Sequence, residues 1–562
     1  MEEGNKIMIT KRKLFTLIAG IAVFSMVAGG MFALYAQSQL TDDVVRSLAM
    51  FRETYYKIYS NYVATPDPQK LIYGAIKGML ESLDPHSNFL NPKAFNDLKV
   101  STEGSFGGLG IQIDIRDSWL TVIAPMAGTP ASRLGIQAGD RIVKIDNIST
   151  RGITTDGAIS KLRGRPGTKV TIAIQREGVD QPMDFEVTRE LIEIKSIPYY
   201  GLIKNKTGYI WLANFMSKKT GDDLATAIKD LENQGMKQLI LDLRGNPGGQ
   251  LNEAVDVSSD FLKDSSLVVF TKGRMPRSNM TYNAYKQNYD NLGQPLYGPK
   301  KGPMVVLINQ GSASASEIVA GALQDWDRAL ILGQTSFGKG SVQNIVELND
   351  SIAYKLTTAK YYTPSGRCIH RDNSAWQSGE IDIYEDDTTK TNLDKLKNEG
   401  VNIIGDTTGS DSLVAREMFT TVGGLKRKVY GGGGITPDVK VSLPLLKKLE
   451  SNLERKTLFF KFAVKYTVTR KDLPPALEVD PPMLAEFKKL LADEKFEYTE
   501  QEFKESETYI KRALKRELLS KLYGDKAMTA FILEGDPQVQ KAVELLEQHK
   551  DLNKLLQTGQ NK

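Results

Sequence analysis

Residues 308–343 read Ile308-Asn-Gln-Gly311-Ser312-Ala313-Ser314-Ala315-Ser316-Glu317-Ile318, then VAGALQDWDRALILG to Gly333, then Gln334-Thr335-Ser336-Phe337-Gly338-Lys339-Gly340-Ser341-Val342-Gln343. An apolar run ending at Ile308 passes through small residues into a helical pattern over Ile318 to Leu323, so a strand turns into a helix at a tight elbow. Small side chains leave room for a carbonyl to approach, and the free amides of a helix N-terminus favour developing negative charge. Ser312, Ser314 and Ser316 all sit at that elbow, and any of them also suits the ordinary task of capping the helix. A hydroxyl used as a nucleophile needs a base. The three histidines, His86, His370 and His549, stand in no context that suggests one. Lys339 is the alternative: glycines flank it, and apolar neighbours desolvate an amine and lower its pKa. A rival reading comes from Gly333 to Lys339, which matches most of a phosphate-binding loop. Gly340 stands where that loop requires Ser or Thr, and Ser341-Val-Gln-Asn-Ile-Val reads as a strand rather than a helix.

Outward from this elbow, short strand patterns GYIWLANF, KQLILDLR, SLVVF and PMVVLIN alternate with helical ones such as GDDLATAIKDLENQG, where Leu224, Ile228 and Leu231 share a face. This α/β core is expected over 191–445. A β-rich domain is expected over 99–190, from the glycine-rich GSFGGLG to alternating strands such as Lys169–Gln175. Gly107 to Gly110 precede an alternating strand and form a nest whose amides suit a carboxylate, although a plain turn would use the same glycines. Residues 37–98 carry apolar pairs at helical spacing and read as a helical cap. Residues 446–562, rich in Lys and Glu, read as a helical module.

Leu14–Ala36 is uncharged over a length that as a helix spans roughly 34 Å, enough for a bilayer. Lys11-Arg12-Lys13 precede it, which places residues 1–13 in the cytoplasm and the rest of the chain outside. The run is long and Leu34 fits a cleavage site poorly, so an uncleaved anchor is favoured over a removed signal peptide or a buried helix. The chain of 562 residues needs several domains, and its net charge of +5 is too small to indicate a nucleic-acid partner. Cys368 is the sole cysteine, so no internal disulfide forms. No metal or other cofactor is expected.

GSASASEIVAGALQDWDRALILGQTSFGKGSVQ resembles the signature of the C-terminal processing peptidases, serine proteases with a Ser–Lys dyad. The resemblance runs over roughly 70–366 and includes ESLDPHSNF, a PDZ-like Pro130-Ala-Ser-Arg-Leu-Gly135 to Gly139-Asp140-Arg-Ile-Val, and LDLRGNPGGQL. It resumes at GITPDV. It implies a protease core of the crotonase-like ββα type, with Ser314 as nucleophile, Lys339 as base and Gln343 orienting the lysine. Gly248 or Gly249, with Ala315, would form the oxyanion hole, and Asp325 and Arg328 would brace the site. In the PDZ domain, Gly108, Leu109, Gly110 and Ile111 would bind the C-terminal carboxylate of a protein substrate beside a helix over Thr155 to Arg163. Arg163 would touch substrate or protease core, unless it is simply a surface arginine. The family works in exported compartments, which implies a bacterial envelope protein held in the inner membrane with its catalytic domain on the periplasmic or extracytoplasmic side. Two departures stand out. An insertion of unknown role spans about 368–432, and the helical extension is open to homo-oligomer formation, adaptor docking or covering of the site. A non-enzyme alternative is a PDZ scaffold on a protease-like fold, against which Ser314, Lys339, Gln343 and Asn246-Pro-Gly-Gly all stand together.

Overall fold

The computed structural model describes residues 42–286, 294–298, 301–371, 403–404, 414–415 and 417–559. The apolar run Leu14–Ala36 lies outside them, as does most of the insertion. Among the described residues no helix is long and apolar enough to cross a membrane. The chain divides at Phe89 into two compact units. In the first, helix Asp42–Asn61 is followed by helix Pro68–Glu81, whose N-cap Asp67 accepts from the amides of Gln69 and Lys70.

The second unit is built on a six-stranded sheet in the order Tyr199–Ile203, Thr207–Trp211, Gln238–Asp242, Met304–Ile308, Leu330–Gly333, Val439–Lys440. Its first pair is antiparallel and the others are parallel. All five residues of Met304–Ile308 are buried, because both faces of the sheet are covered. Met304, Val306 and Ile308 face helices Thr220–Asn233, Leu251–Ser259 and Ala315–Asp325, which connect the strands. Val305 and Leu307 face the other way, onto helices Pro537–Gln548 and Leu552–Gln557 near the end of the chain. Leu546, Leu555 and Leu556 close that layer with no exposed surface.

The β-rich domain is a separate antiparallel sheet in the order Ile111–Arg116, Trp119–Pro125, Arg141–Ile145, Lys169–Gln175, Met183–Thr188, with Thr155–Leu162 as its expected helix. Strand Ile111–Arg116 is its edge. Strands Ser105–Gly108 and Glu190–Glu193 pair at the root of the domain, three residues past the boundary read from sequence. Residues 417–432 belong to the core rather than to the insertion. Arg427, 1% exposed, is ion-paired to Asp327 at 2.8 Å and to Asp438 at 2.6 Å, so excising this hairpin would strand buried charges.

The helical extension is a domain with its own aromatic core, in which Phe459 stacks on Phe487 and Phe462 meets that ring edge-on. It docks on the β-rich domain. Arg116 lies over the Phe460 ring at 3.9 Å, Lys461 pairs with Asp117 at 3.0 Å, and the Lys521 amine donates to the Ala138 carbonyl. Gly139 stands at φ 92°, and a Cβ there would lie 2.5 Å from Val464, so this approach depends on glycine. One extension thus contacts both neighbouring domains.

Replacing Leu546 by Ala is expected to destabilise the protein by about 2–5 kcal/mol, because the sheet cannot collapse into the cavity left behind. Urea-induced unfolding followed by tryptophan fluorescence measures it.

Candidate active site

Strand Met304–Ile308 delivers the chain into the elbow and helix Ala315–Asp325 takes it away. Ser314 is the turning residue, at φ 55° and ψ −115°, a region that costs a residue with a Cβ on the order of 1–3 kcal/mol. The three serines separate by their partners. Ser312 Oγ donates to the Leu243 carbonyl at 2.8 Å and accepts from the Asn309 amide, and Ser316 Oγ donates to the Asn246 carbonyl at 2.9 Å. Both are buried structural hydroxyls, whereas Ser314 keeps part of its surface open.

Glu317, one turn into the helix and fully buried, joins the Ser314 elbow to the Lys339 loop. Its carboxylate accepts from the Ser314 amide at 2.9 Å, the Lys339 amide at 2.9 Å, the Gly338 amide at 2.7 Å and Ser336 Oγ at 2.5 Å. Burial pushes its pKa above the ordinary carboxylate value, and the four donors pull against that rise. The Phe337 amide adds a bond to the Ser312 carbonyl at 3.0 Å. Nothing in the Ser-Glu-Ile context distinguished Glu317 from a capping glutamate, and its dual role was missed in the sequence. The signal lay in a charged residue on a helix whose other positions are all small or apolar up to Gln324.

Lys339 is half-buried, and its pKa lies below the ordinary lysine value. Desolvation is the main cause, the positive charge of Lys355 on strand Ile352–Tyr362 adds to it, and Glu317 opposes it. Lys339 Nζ donates no hydrogen bond to Ser314 Oγ or to any other group among the described residues. Gln343 does not reach the lysine either. Its Nε2 donates to Ser341 Oγ at 2.8 Å and to Thr357 Oγ1 at 3.4 Å. The segment after Lys339 is strand Ser341–Asn349, not the helix of a phosphate loop.

The Asn246-Pro-Gly-Gly turn lies against the elbow. Gly248 is so close that a Cβ would stand 2.8 Å from Ser314 Cβ and 2.9 Å from the Ala315 amide nitrogen. The Gly248 amide is engaged by Asn246 Oδ1 at 2.9 Å, while the amides of Gly249 and Ala315 have no acceptor among the described residues. Asn246 holds the turn and the elbow together. Its Nδ2 donates to the Leu212 carbonyl at 2.8 Å and its carbonyl accepts from the Ala313 amide at 3.0 Å. Asp325 and Arg328 serve different places. Asp325 forms a fully buried pair with Arg367 at 2.8 Å, and Arg328 donates to the Tyr297 carbonyl at 2.6 Å, with burial pushing its pKa down to about 10.

The β-rich domain carries a groove of about 380 Å³ between edge strand Ile111–Arg116 and helix Thr155–Leu162. Gly108, Leu109, Gly110 and Ile111 line one end, and Ile113, Ile159 and Leu162 make its walls apolar. Gly110 has φ 74°, and a Cβ there would meet the Thr129 side chain at 2.2 Å. Arg163 borders the groove, stacked over Phe106 at 4.4 Å and 3.6 Å from Asp97.

Comparison with known proteins agrees with this architecture. Residues 206–375 match peptidase family S41, residues 121–176 a PDZ domain, residues 28–94 the N-terminal domain of the activating protease CtpB, and residues 497–546 the C-terminal helical domain of PDZ-proteases. The carboxy-terminal-processing protease of Bartonella bacilliformis is 42% identical over 365 residues, 64% of this chain and 80% of that protein. The carboxy-terminal processing protease CtpA of Bacillus subtilis is 31% identical over 462 residues, 78% of this chain and 94% of that protein. A solved structure of the photosystem II D1 C-terminal processing protease is 30% identical over 57% of this chain and 83% of its own, with a TM-score of 0.34. With a PDZ domain, a mixed α/β core and a C-terminal helical domain in one chain, and relatives matched over most of their length, the protein belongs to the carboxy-terminal processing serine proteases of peptidase family S41.

Proposed function

We propose that this protease cleaves exported proteins by a Ser314–Lys339 dyad after its PDZ groove has taken hold of their C-terminal tails. The observation that carries this reading is the Glu317 carboxylate, which binds the backbone of both Ser314 and Lys339 and fixes the serine elbow beside the lysine loop. Unprotonated Lys339 takes the Ser314 proton as Oγ attacks the scissile carbonyl, and returns it to the leaving amine. Water then hydrolyses the acyl-enzyme with the same base. The amides of Gly249 and Ala315 receive the oxyanion, each worth about 3 kcal/mol in the transition state, with Gly248 shaping the turn. Closure on substrate brings the lysine amine within reach of Ser314, and Gln343 then orients it. Such bonds are often long in a free enzyme.

A substrate tail adds as a strand to the edge Ile111–Arg116, with its carboxylate at the Gly108–Ile111 loop and its apolar side chains between Ile113, Ile159 and Leu162. Arg163 closes the groove end. Leu14–Ala36 anchors the chain in the inner membrane and leaves the catalytic domain outside the cytoplasm.

Incubation with an unstructured, apolar-tailed protein is expected to shorten it, while Ser314→Ala does not. Full-length substrate persisting as in that control would refute the assignment. Lys339→Ala is expected to lose about 10²–10⁴-fold in kcat, with replacement of His86 leaving turnover largely intact.

The pH–rate profile offers a second check. The base must be neutral, so activity rises with pH through the lowered pKa of Lys339. Lys355→Gln removes a like charge, raises that pKa and moves the acid limb to higher pH.

Glu317→Gln turns an NH₂ group toward two of four donors. It is expected to cost about 1–3 kcal/mol in stability per donor left unpaired, and to lower kcat with KM for tailed substrates unchanged. Unchanged kcat would show that the carboxylate only fills space.

A further inference from the structure

The C-terminal extension reaches the Asn246-Pro-Gly-Gly turn through one largely buried arginine. Arg244 precedes Gly245 and Asn246, and its guanidinium is held from two sides. Nε donates to Asp242 Oδ1 at 2.9 Å and Oδ2 at 3.0 Å, at the end of the strand that Arg244 itself follows. Nη1 donates to Asp536 Oδ2 at 2.7 Å and to Gln538 Oε1 at 2.8 Å, both from the start of helix Pro537–Gln548. The side chains of Arg244, Asp242 and Asp536 are 13%, 3% and 13% exposed, so the charges interact with little solvent screening. Both extension residues are themselves held. Asp536 Oδ1 caps its helix by accepting from the amides of Gln538 and Val539, and Gln538, fully buried, donates Nε2 to the Val441 carbonyl at 2.6 Å.

From Arg244 the connections run into the elbow without a break. The Gly245 amide donates to Asn309 Oδ1 at 2.9 Å, and the carbonyl of Asn246 accepts from the Ala313 amide and from Ser316 Oγ, the residues on either side of the Ser314 turn. The same Asn246 side chain holds the Gly248 amide. We infer that Asp536 and Gln538 are positioning residues for catalysis, holding Arg244 so that the Asn246-Pro-Gly-Gly turn stays in register with Ser314. This rests on the Ser314 reading above. Neither residue touches substrate. Their effect is on where the amides at Gly249 and Ala315 point, and a displacement of about 1 Å at such donors is enough to cost up to about a hundredfold in rate.

The full chain tests it with Asp536→Asn and the double variant Asp536→Asn/Gln538→Ala. Asn caps a helix as well as Asp does, so Asp536→Asn keeps the cap while removing the charge that Arg244 meets. The expected result, read at a temperature well below unfolding, is a fall of about tenfold in kcat. KM for an apolar-tailed protein substrate stays unchanged, because the PDZ groove is untouched, and Asp536→Glu restores part of the rate. Should the double variant not fold, each single variant carries the same comparison. Variants with kcat within twofold of the parent, or with KM rising while kcat holds, overturn the inference. A parent chain as inactive as Ser314→Ala overturns the dyad chemistry itself.

Discussion

A single buried carboxylate ties the serine elbow to the lysine loop. The elbow at Ser314 and the loop at Lys339 leave the ends of two neighbouring parallel strands, Met304–Ile308 and Leu330–Gly333, which brings them near each other. Glu317 fixes how they meet by taking a backbone amide from each, plus two further donors from the lysine loop. Because it binds the amides of Ser314 and Lys339 rather than their side chains, the carboxylate dictates chain path and leaves the serine hydroxyl and the lysine amine unspent. The left-handed backbone at Ser314 persists under the same restraint, since the amide of the strained residue is itself one of the four donors.

The second organising element is the sheet with two covered faces. Helices between the strands cover one, and the other is covered by helices that come after all six strands in the chain. The C-terminal helical domain is therefore not an appendage. It shares its aromatic core with none of its neighbours, yet grips the PDZ domain through Phe460 and Lys461 and completes the protease sheet through Leu546 and Leu555.

Much of this could be read from the chain. The alternation of strands and amphipathic helices marked out the core. Glycines before an alternating strand marked the peptide groove, and three small serines between an apolar strand and a helix marked the elbow. Residue types alone did not choose among those serines, because the choice lies in what Ser312 and Ser316 bond to across the chain, in Leu243 and Asn246. The continuous apolar run of Met304–Ile308 already implied a cover on both faces, but a pattern on one strand cannot say which distant segment provides it. Arg427 ties 417–432 to the core by ion pairs to Asp327 and Asp438, and Arg367 donates to the Tyr430 carbonyl; such long-range contacts leave no local mark, which is why an insertion marked off as a departure from the family pattern ran on to 432.

The covering helices also impose an order in time. A ribosome that has delivered everything through Gln343 has supplied the serine, the lysine and the glycine turn, but not the apolar layer over Val305 and Leu307. Until residues 537–557 arrive, Val305 and Leu307 have none of the side chains that cover them, and Arg244 has Asp242 but neither Asp536 nor Gln538. The apolar layer over the central sheet is thus supplied by helices that follow all six of its strands in the chain, so that face of the sheet is covered only after every strand has been made.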